Sequence, residues 1–306
     1  MSSVLGPGKT AVITGASSGI GKAAALDFAS KGMNVWMIDI DKTELEIANK
    51  LVKSKCRDSS SQTIEGRVVD VSNEAAMMEL ADEVFEKNGN CHFLINNAGV
   101  QLSVGDVLTE PSKMKTTLDV NLYGPIYGCQ AFVPRMKESK QECIVVNTGS
   151  KQGITMPPGN LPYNVSKAAL KCYTEGLEHD LRNYSPSVRA ALLVPGWVNT
   201  SIMLKNERKK AKNKDDFDPN SVFFHEDKPA KGAWMPQQVI DFMIQELDKG
   251  RFYLICPDND VDRETDKLRM TWTMQDITED RPPLSRWHPD YKEEFADYLK
   301  ENKKSV

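Results

Sequence analysis

Residues 10–21 read TAVITGASSGIG and run on into apolar residues at Ala23, Leu26 and Phe28. A short apolar run, a glycine-rich turn and a helical spacing predict strand, turn and helix in that order. Gly15, Gly19 and Gly21 each have a physical task there. One makes the tight turn, one lets the backbone approach a pyrophosphate, and one lets helix pack closely on strand. The amide N–H groups at the helix N-terminus face the anion.

The same alternation continues along the chain. Residues 34–38 (NVWMI), 62–69, 92–95 (HFLI), 143–146 (CIVV), 188–194 (VRAALLV) and 252–256 (FYLIC) read as further strands, with helical patterns between them. Strands alternating with helices, several of them apolar on both faces, predict an α/β fold with one doubly wound parallel sheet of Rossmann type. The second strand ends in Asp39, eighteen residues after Gly21. A carboxylate there receives adenosine ribose hydroxyls and repels a 2′-phosphate, by roughly 4 kcal/mol per close charge pair near a protein surface. The positions that could rescue the phosphate, Ser17, Ser18 and Ile40, are not basic, although Lys22 and Lys42 lie near in sequence, so NAD is expected over NADP. Asp70 and Val71 close the third strand; Asp70 either meets the adenine or caps the next helix. Asn97, Ala98 and Gly99 follow the fourth strand in NNAGV, a turn that suits a bound ligand and also suits an ordinary loop.

The chemistry is expected in residues 147–167, NTGSKQGITMPPGNLPYNVSK. Tyr163 and Lys167 lie four apart on a predicted helix and so share a face. A phenol of pKa about 10 is a poor base near neutral pH, and an adjacent ammonium favours its phenolate. Ser150 lies just past a strand's carboxyl end, where open parallel sheets bind ligands. Further on, Pro195 and Gly196 end the sixth strand, and the turn after them directs Thr200 toward a nicotinamide carboxamide.

The totals exclude several classes. With 306 residues, 40% apolar and 27% charged at net charge −4, nothing suggests a polyanion-binding surface, and no nucleic-acid partner is expected. Six cysteines lie scattered without a C-x-x-C pair, and four histidines stand more than forty residues apart, so no metal site is expected. No signal peptide and no run of ~18 apolar residues is visible, so the expected site is cytoplasmic, with no membrane partner.

Two segments stand apart in composition. Residues about 200–232 are abruptly charged and read as a substrate lid. After residue 256, about fifty residues carry two helical patterns (260–277 and 289–301) and the aromatic residues Trp272, Trp287, Tyr291, Phe295 and Tyr298. The expected division is a Rossmann-type unit over 1–256, lid included, and a helical extension over 257–306. That extension is expected to pack on its own active-site rim or on a neighbouring subunit.

With TGASSGIG, NNAG, Asn121, Ser150, Tyr163-x-x-x-Lys167 and PGWVNT in order, residues 8–256 resemble the short-chain dehydrogenase/reductase family. The resemblance implies hydride transfer between NAD(H) and a secondary alcohol or ketone, with Tyr163 as acid/base. It implies that Lys167 lowers the Tyr163 pKa and bonds the nicotinamide ribose. Ser150 would orient the substrate oxygen and Asn121 would hold a relay water. Gly15, Ser18, Ile20, Asn97, Val198 and Thr200 would line the cofactor, and helix faces in 113–137 and 161–183 would make a homodimer or homotetramer.

Overall fold

A computed structural model describes residues 4–102, 111–200 and 231–303. The charged stretch read as a lid therefore lies almost wholly outside the described residues. Seven strands, all parallel, stand in the order β3-β2-β1-β4-β5-β6-β7. They are β1 (Thr10–Thr14), β2 (Asn34–Asp39), β3 (Ile64–Val68), β4 (Phe93–Asn96), β5 (Cys143–Thr148), β6 (Val188–Val194) and β7 (Tyr253–Ile255). The chain runs outward from β1 to β3, returns to β4 beside β1, then runs outward to β7. Strand order reverses between β1 and β4, which places a ligand crevice at their carboxyl ends.

Period-two alternation divides the core between the two faces. Ala11, Ile13, Val35 and Met37 point to one side, where α1 (Gly19–Ser30), α2 (Lys42–Lys53) and α8 (Pro236–Asp248) cover them. Val12, Trp36 and Ile38 point to the other, under α3 (Glu74–Asn88) and α5 (Gly124–Glu138), with α7 (Leu161–Tyr184) beyond. Both faces being covered explains why these strands read as unbroken apolar runs. The alanines at 23, 24, 25 and 29 are buried and let α1 lie close on the sheet; it stops at Lys31, before Gly32 at φ +91°. His92 closes the lower end: its Nδ1 accepts from Thr10 N–H at 3.1 Å and its Nε2 meets Gln141 Oε1 at 3.0 Å.

The helical pattern over 113–137, expected to break at Gly124-Pro125, is two helices. Pro111–Leu118 (α4) and α5 are joined by a wide π-type turn, Asp119–Tyr123, so the break comes just before Gly124-Pro125, which instead open α5. A proline in the first turn lacks an N–H that the helix would not use. All six cysteines are unpaired.

Beyond β7 the chain forms α9 (Arg263–Thr278), two 3-10 turns at Ser285–Trp287 and Pro289–Tyr291, and α10 (Lys292–Asn302). Asp262 caps α9, accepting from Thr265 N–H at 2.7 Å. Trp272, buried, is the centre of this segment. Its Nε1–H donates to Ser285 Oγ at 2.8 Å, the Arg281 guanidinium lies 3.8 Å over the ring, and Phe295 and Tyr298 meet it edge-on at 5.1 and 5.0 Å. Trp287 Nε1–H donates to Thr155 O at 3.5 Å, so the tail packs on this chain's own loop between Ser150 and Tyr163.

Candidate active site

Strand ends and helix starts deliver the expected residues to one crevice. After β1, Gly15 and Gly19 adopt φ +65° and +54°, values that disfavour any side chain. A Cβ on Gly21 would lie 2.3 Å from Gly15 O, and one on Gly15 would lie 2.9 Å from Ala98 Cα. The turn is therefore folded tightly on itself and against the loop after β4. Across the crevice, a Cβ on Gly19 would meet the Thr200 methyl at 3.0 Å. The loop carrying Thr200 is held by a parallel bridge between Val198 and Trp234, with Asn199 N–H donating to Trp234 O at 2.8 Å.

The start of α1 differs from those of α2, α3 and α9. Asp41, Asn73 and Asp262 cap α2, α3 and α9 with their side chains, whereas Ser18 makes no capping hydrogen bond and no acid occupies the first turn, with buried Ile20 and Gly21. An uncapped, acid-free helix start beside glycines fits a pyrophosphate.

Asp39 accepts from both Ser17 N–H (3.1 Å) and Ser17 Oγ–H (2.7 Å) at Oδ2, and from Asp41 N–H (3.1 Å) at Oδ1. It thus tethers the glycine turn to the end of β2. Of the pair after β3, Asp70 is exposed and accepts from Ser72 N–H and Oγ–H at 2.9 and 2.7 Å. Val71 is turned inward under Gly124, where a Cβ would lie 2.8 Å from its methyl. The next helix is capped by Asn73, so Asp70 shapes the turn before it.

The NNAGV loop is tied inward by groups whose roles were not legible. Thr14 Oγ1 accepts from Asn97 N–H at 2.9 Å and Ala98 N–H at 3.0 Å, and the Asn97 amide donates to Thr14 O at 3.1 Å. Asn121 is fully buried; its Oδ1 accepts from Val100 N–H at 2.7 Å while its Nδ2 donates to Val100 O at 2.8 Å and Ser166 Oγ at 3.1 Å. Its side chain thus holds the Val100 backbone, and with it the loop beside Gly99. Behind it Asn96 Nδ2 donates to Asn147 Oδ1 at 2.8 Å, and Asn147 Nδ2 to Thr174 Oγ1 at 3.0 Å, a buried polar relay joining β4, β5 and α7. The only sequence signal for it was a polar residue at the end of each strand.

Ser150, Tyr163 and Lys167 come together past β5. Ser150 Oγ accepts from Gln152 N–H at 3.1 Å, which leaves its own proton free to donate. Contact with that hydroxyl lowers the Tyr163 pKa, but burial is the larger effect, and the phenol stands above its ordinary value. Lys167 Nζ lies 5.6 Å from the Tyr163 ring centre and donates to Thr148 O at 2.7 Å. Burial pushes its pKa down from 10.5 to about 8.

A depressed lysine pKa carries a stability signature. Between about pH 8 and pH 10.5 the unfolded chain holds a proton that the folded chain does not, so stability rises with pH across that window. Below it the charged lysine costs the fold on the order of 3 kcal/mol. Lys167→Met should raise the unfolding temperature at pH 7 and remove the rise above pH 8, as calorimetry over a pH series would show.

The model of the short chain dehydrogenase family matches residues 9–212. The chain belongs to the short-chain dehydrogenase family. An uncharacterized oxidoreductase of Staphylococcus saprophyticus is 32% identical over 211 residues, 68% of this chain and 87% of that protein. Among solved structures, a family member from Burkholderia phymatum in complex with NAD is 27% identical at TM-score 0.76, covering 92% of this chain and 98% of that one. A metagenomic short-chain oxidoreductase in complex with NADP is 30% identical at TM-score 0.57, covering 63% and 85%. This dehydrogenase is accordingly an oxidoreductase of a family that uses a nicotinamide cofactor, and its uncapped α1 start fits the group's pyrophosphate.

Within the dehydrogenase the turn between Ser150 and Tyr163 is seated hard on α7. A Cβ on Gly153, in the short helix α6 (Gln152–Thr155), would lie 2.6 Å from the Lys167 backbone carbon. Gly153→Ala should therefore displace Ser150 and lower turnover by about a hundredfold, since 1 Å of misplacement has that cost. Steady-state kinetics beside an unchanged circular dichroism spectrum would check it.

Proposed function

We propose that this chain transfers a hydride between NAD(H) and a secondary alcohol or ketone. The supporting observation is the convergence of Ser150, Tyr163 and Lys167 at the carboxyl end of β5, facing the glycine turn across the sheet's reversal point. Bound there, the nicotinamide supplies the hydride acceptor or donor. Ser150, with its oxygen engaged by Gln152 N–H, donates its proton to the substrate oxygen and orients it. Tyr163 takes the hydroxyl proton during oxidation or returns it during reduction. Lys167, low in pKa and anchored on Thr148 O, stands beside the phenol as the group that steadies its charged form.

Asp39 supports NAD over NADP, because a 2′-phosphate would meet its carboxylate. In this reading Gly15, Ser18, Gly19, Ile20 and Gly21 hold the pyrophosphate, Asn97 to Gly99 and Val71 line the adenosine side, and Pro195, Gly196, Val198 and Thr200 line the nicotinamide. The chain works in the cytoplasm as a homodimer or homotetramer. The apolar side chains Tyr123, Leu161 and Val165, exposed where α5 and α7 begin, supply the contact.

The test is nicotinamide absorbance over a panel of aliphatic, benzylic, polycyclic and hydroxy-acid alcohols, each with NAD and NADP. Turnover with NAD is expected. Turnover confined to NADP would overturn the reading of Asp39, and cofactor binding without any turnover would count against the proposed substrates.

A further inference from the structure

Loops leaving three neighbouring strands meet at one buried ion cluster. Lys151 follows Ser150 after β5, Gly196 and Trp197 follow β6, and Asp258 and Asp266 belong to the segment after β7. Lys151 Nζ lies 3.2 Å from Asp258 Oδ2 and 2.6 Å from Asp266 Oδ2, with the three side chains 15%, 9% and 4% exposed. Asp258 Oδ2 also accepts from Trp197 N–H at 3.4 Å, while its Oδ1 accepts from Asp260 and Val261 N–H at 3.2 and 2.8 Å. A Cβ on Gly196 would lie 2.5 Å from Asp258 Oδ2 and 2.8 Å from Lys151 Nζ, so a side chain there would have to displace the ends of both.

Two carboxylates around one ammonium in so dry a place add little net stability, because desolvation opposes attraction. Burial raises the Asp266 carboxyl despite the pull of Lys151. What the cluster does secure is position. Lys151 N–H reaches Pro195 O at 3.4 Å, and Lys151 O accepts from Ile154 and Thr155 N–H, both at 3.0 Å. The next residue, Gln152, holds Ser150 Oγ. On its other side the same turn rests on α7 through Gly153. The turn that carries Ser150 is therefore gripped between α7 and the segment after β7.

We propose that Lys151, held by Asp258 and Asp266, is a positioning residue that makes the segment after β7 part of the active site. It sets the place of Gln152 N–H and through it the direction of the Ser150 hydroxyl. The proposal rests on the reading of Ser150 as the group that orients substrate.

The experiment compares the full chain with Lys151→Met, Lys151→Arg and the double variant Asp258→Asn/Asp266→Asn. Hydrogen exchange is followed in peptides 148–156, 195–199 and 10–21. Lys151→Met and the double variant should speed exchange in the first two peptides by about tenfold and leave 10–21 unchanged, with Lys151→Arg restoring protection. In turnover, kcat should fall by about tenfold or more at nearly constant KM for NAD, and combining Lys151→Met with the double variant should add nothing further. If Lys151→Met does not fold, the near-isosteric Asp266→Asn alone serves the same comparison.

Unchanged exchange at 148–156 in folded variants, or additive losses, would overturn the coupling. The exchange result stands whether or not a substrate has been found. Changed exchange beside a Tyr163→Phe variant that retains full turnover would leave the coupling intact and remove the active-site reading instead.

Discussion

Tyr163→Phe should abolish turnover, by about two to four orders of magnitude, the range of a well-placed acid/base group, while NAD binding stays nearly intact. The substitution removes one oxygen and keeps the ring that Lys167 Nζ approaches at 5.6 Å. Asp39 is tied to Ser17 and Asp41, and the loop carrying Thr200 to Trp234, by bonds the substitution leaves in place. Ser150 keeps its contact with Gln152 N–H. Stopped-flow hydride transfer beside fluorescence titration of NAD separates the two effects, and a joint loss of binding and turnover would refute the role given to the phenol.

The second large effect concerns Asp39. Asp39→Asn should raise the preference for NADP relative to NAD by about two to three orders of magnitude, since a close charge pair near the surface is worth roughly 4 kcal/mol. Asparagine keeps one acceptor oxygen for Ser17, whose N–H and Oγ–H both bond Asp39 Oδ2 in the parent, so the turn retains that tether. Its amide, however, faces Asp41 N–H, which bonds Oδ1 in the parent, and this donor conflict should cost some stability. The ratio of kcat/KM with the two cofactors reads the switch, and a thermal melt reads the cost. An unchanged ratio would show that Asp39 serves only the turn.

Much of this protein is legible as a string because its decisive features are local. Gly15, Gly19 and Gly21 declare a turn that side chains could not make, and the apolar runs at 143–146 and 188–194 declare strands covered on both faces. The four-residue spacing of Tyr163 and Lys167 declares a shared helix face. What the string could not show depends on distance in space. The environment of Tyr163 is one case: burial raises the phenol, and no spacing records that. Asn121 is another, since its amide bonds Val100, twenty-one residues earlier, and Ser166, forty-five residues later.

The tail shows the division most clearly. Its aromatic residues announced packing but not a partner, because an apolar face is satisfied by any apolar neighbour. Trp272 closes on Phe295 and Tyr298 within the tail, whereas Asp258 and Asp266 reach back to Lys151 beside Ser150. Local backbone demands and side-chain periodicity were thus written in order along the chain, and they suffice for the sheet, the glycine turn and the shared helix face of Tyr163 and Lys167. The meeting of residues more than a hundred positions apart, and the pKa values that follow from their burial, arise only when the sheet brings the ends of β5, β6 and β7 side by side.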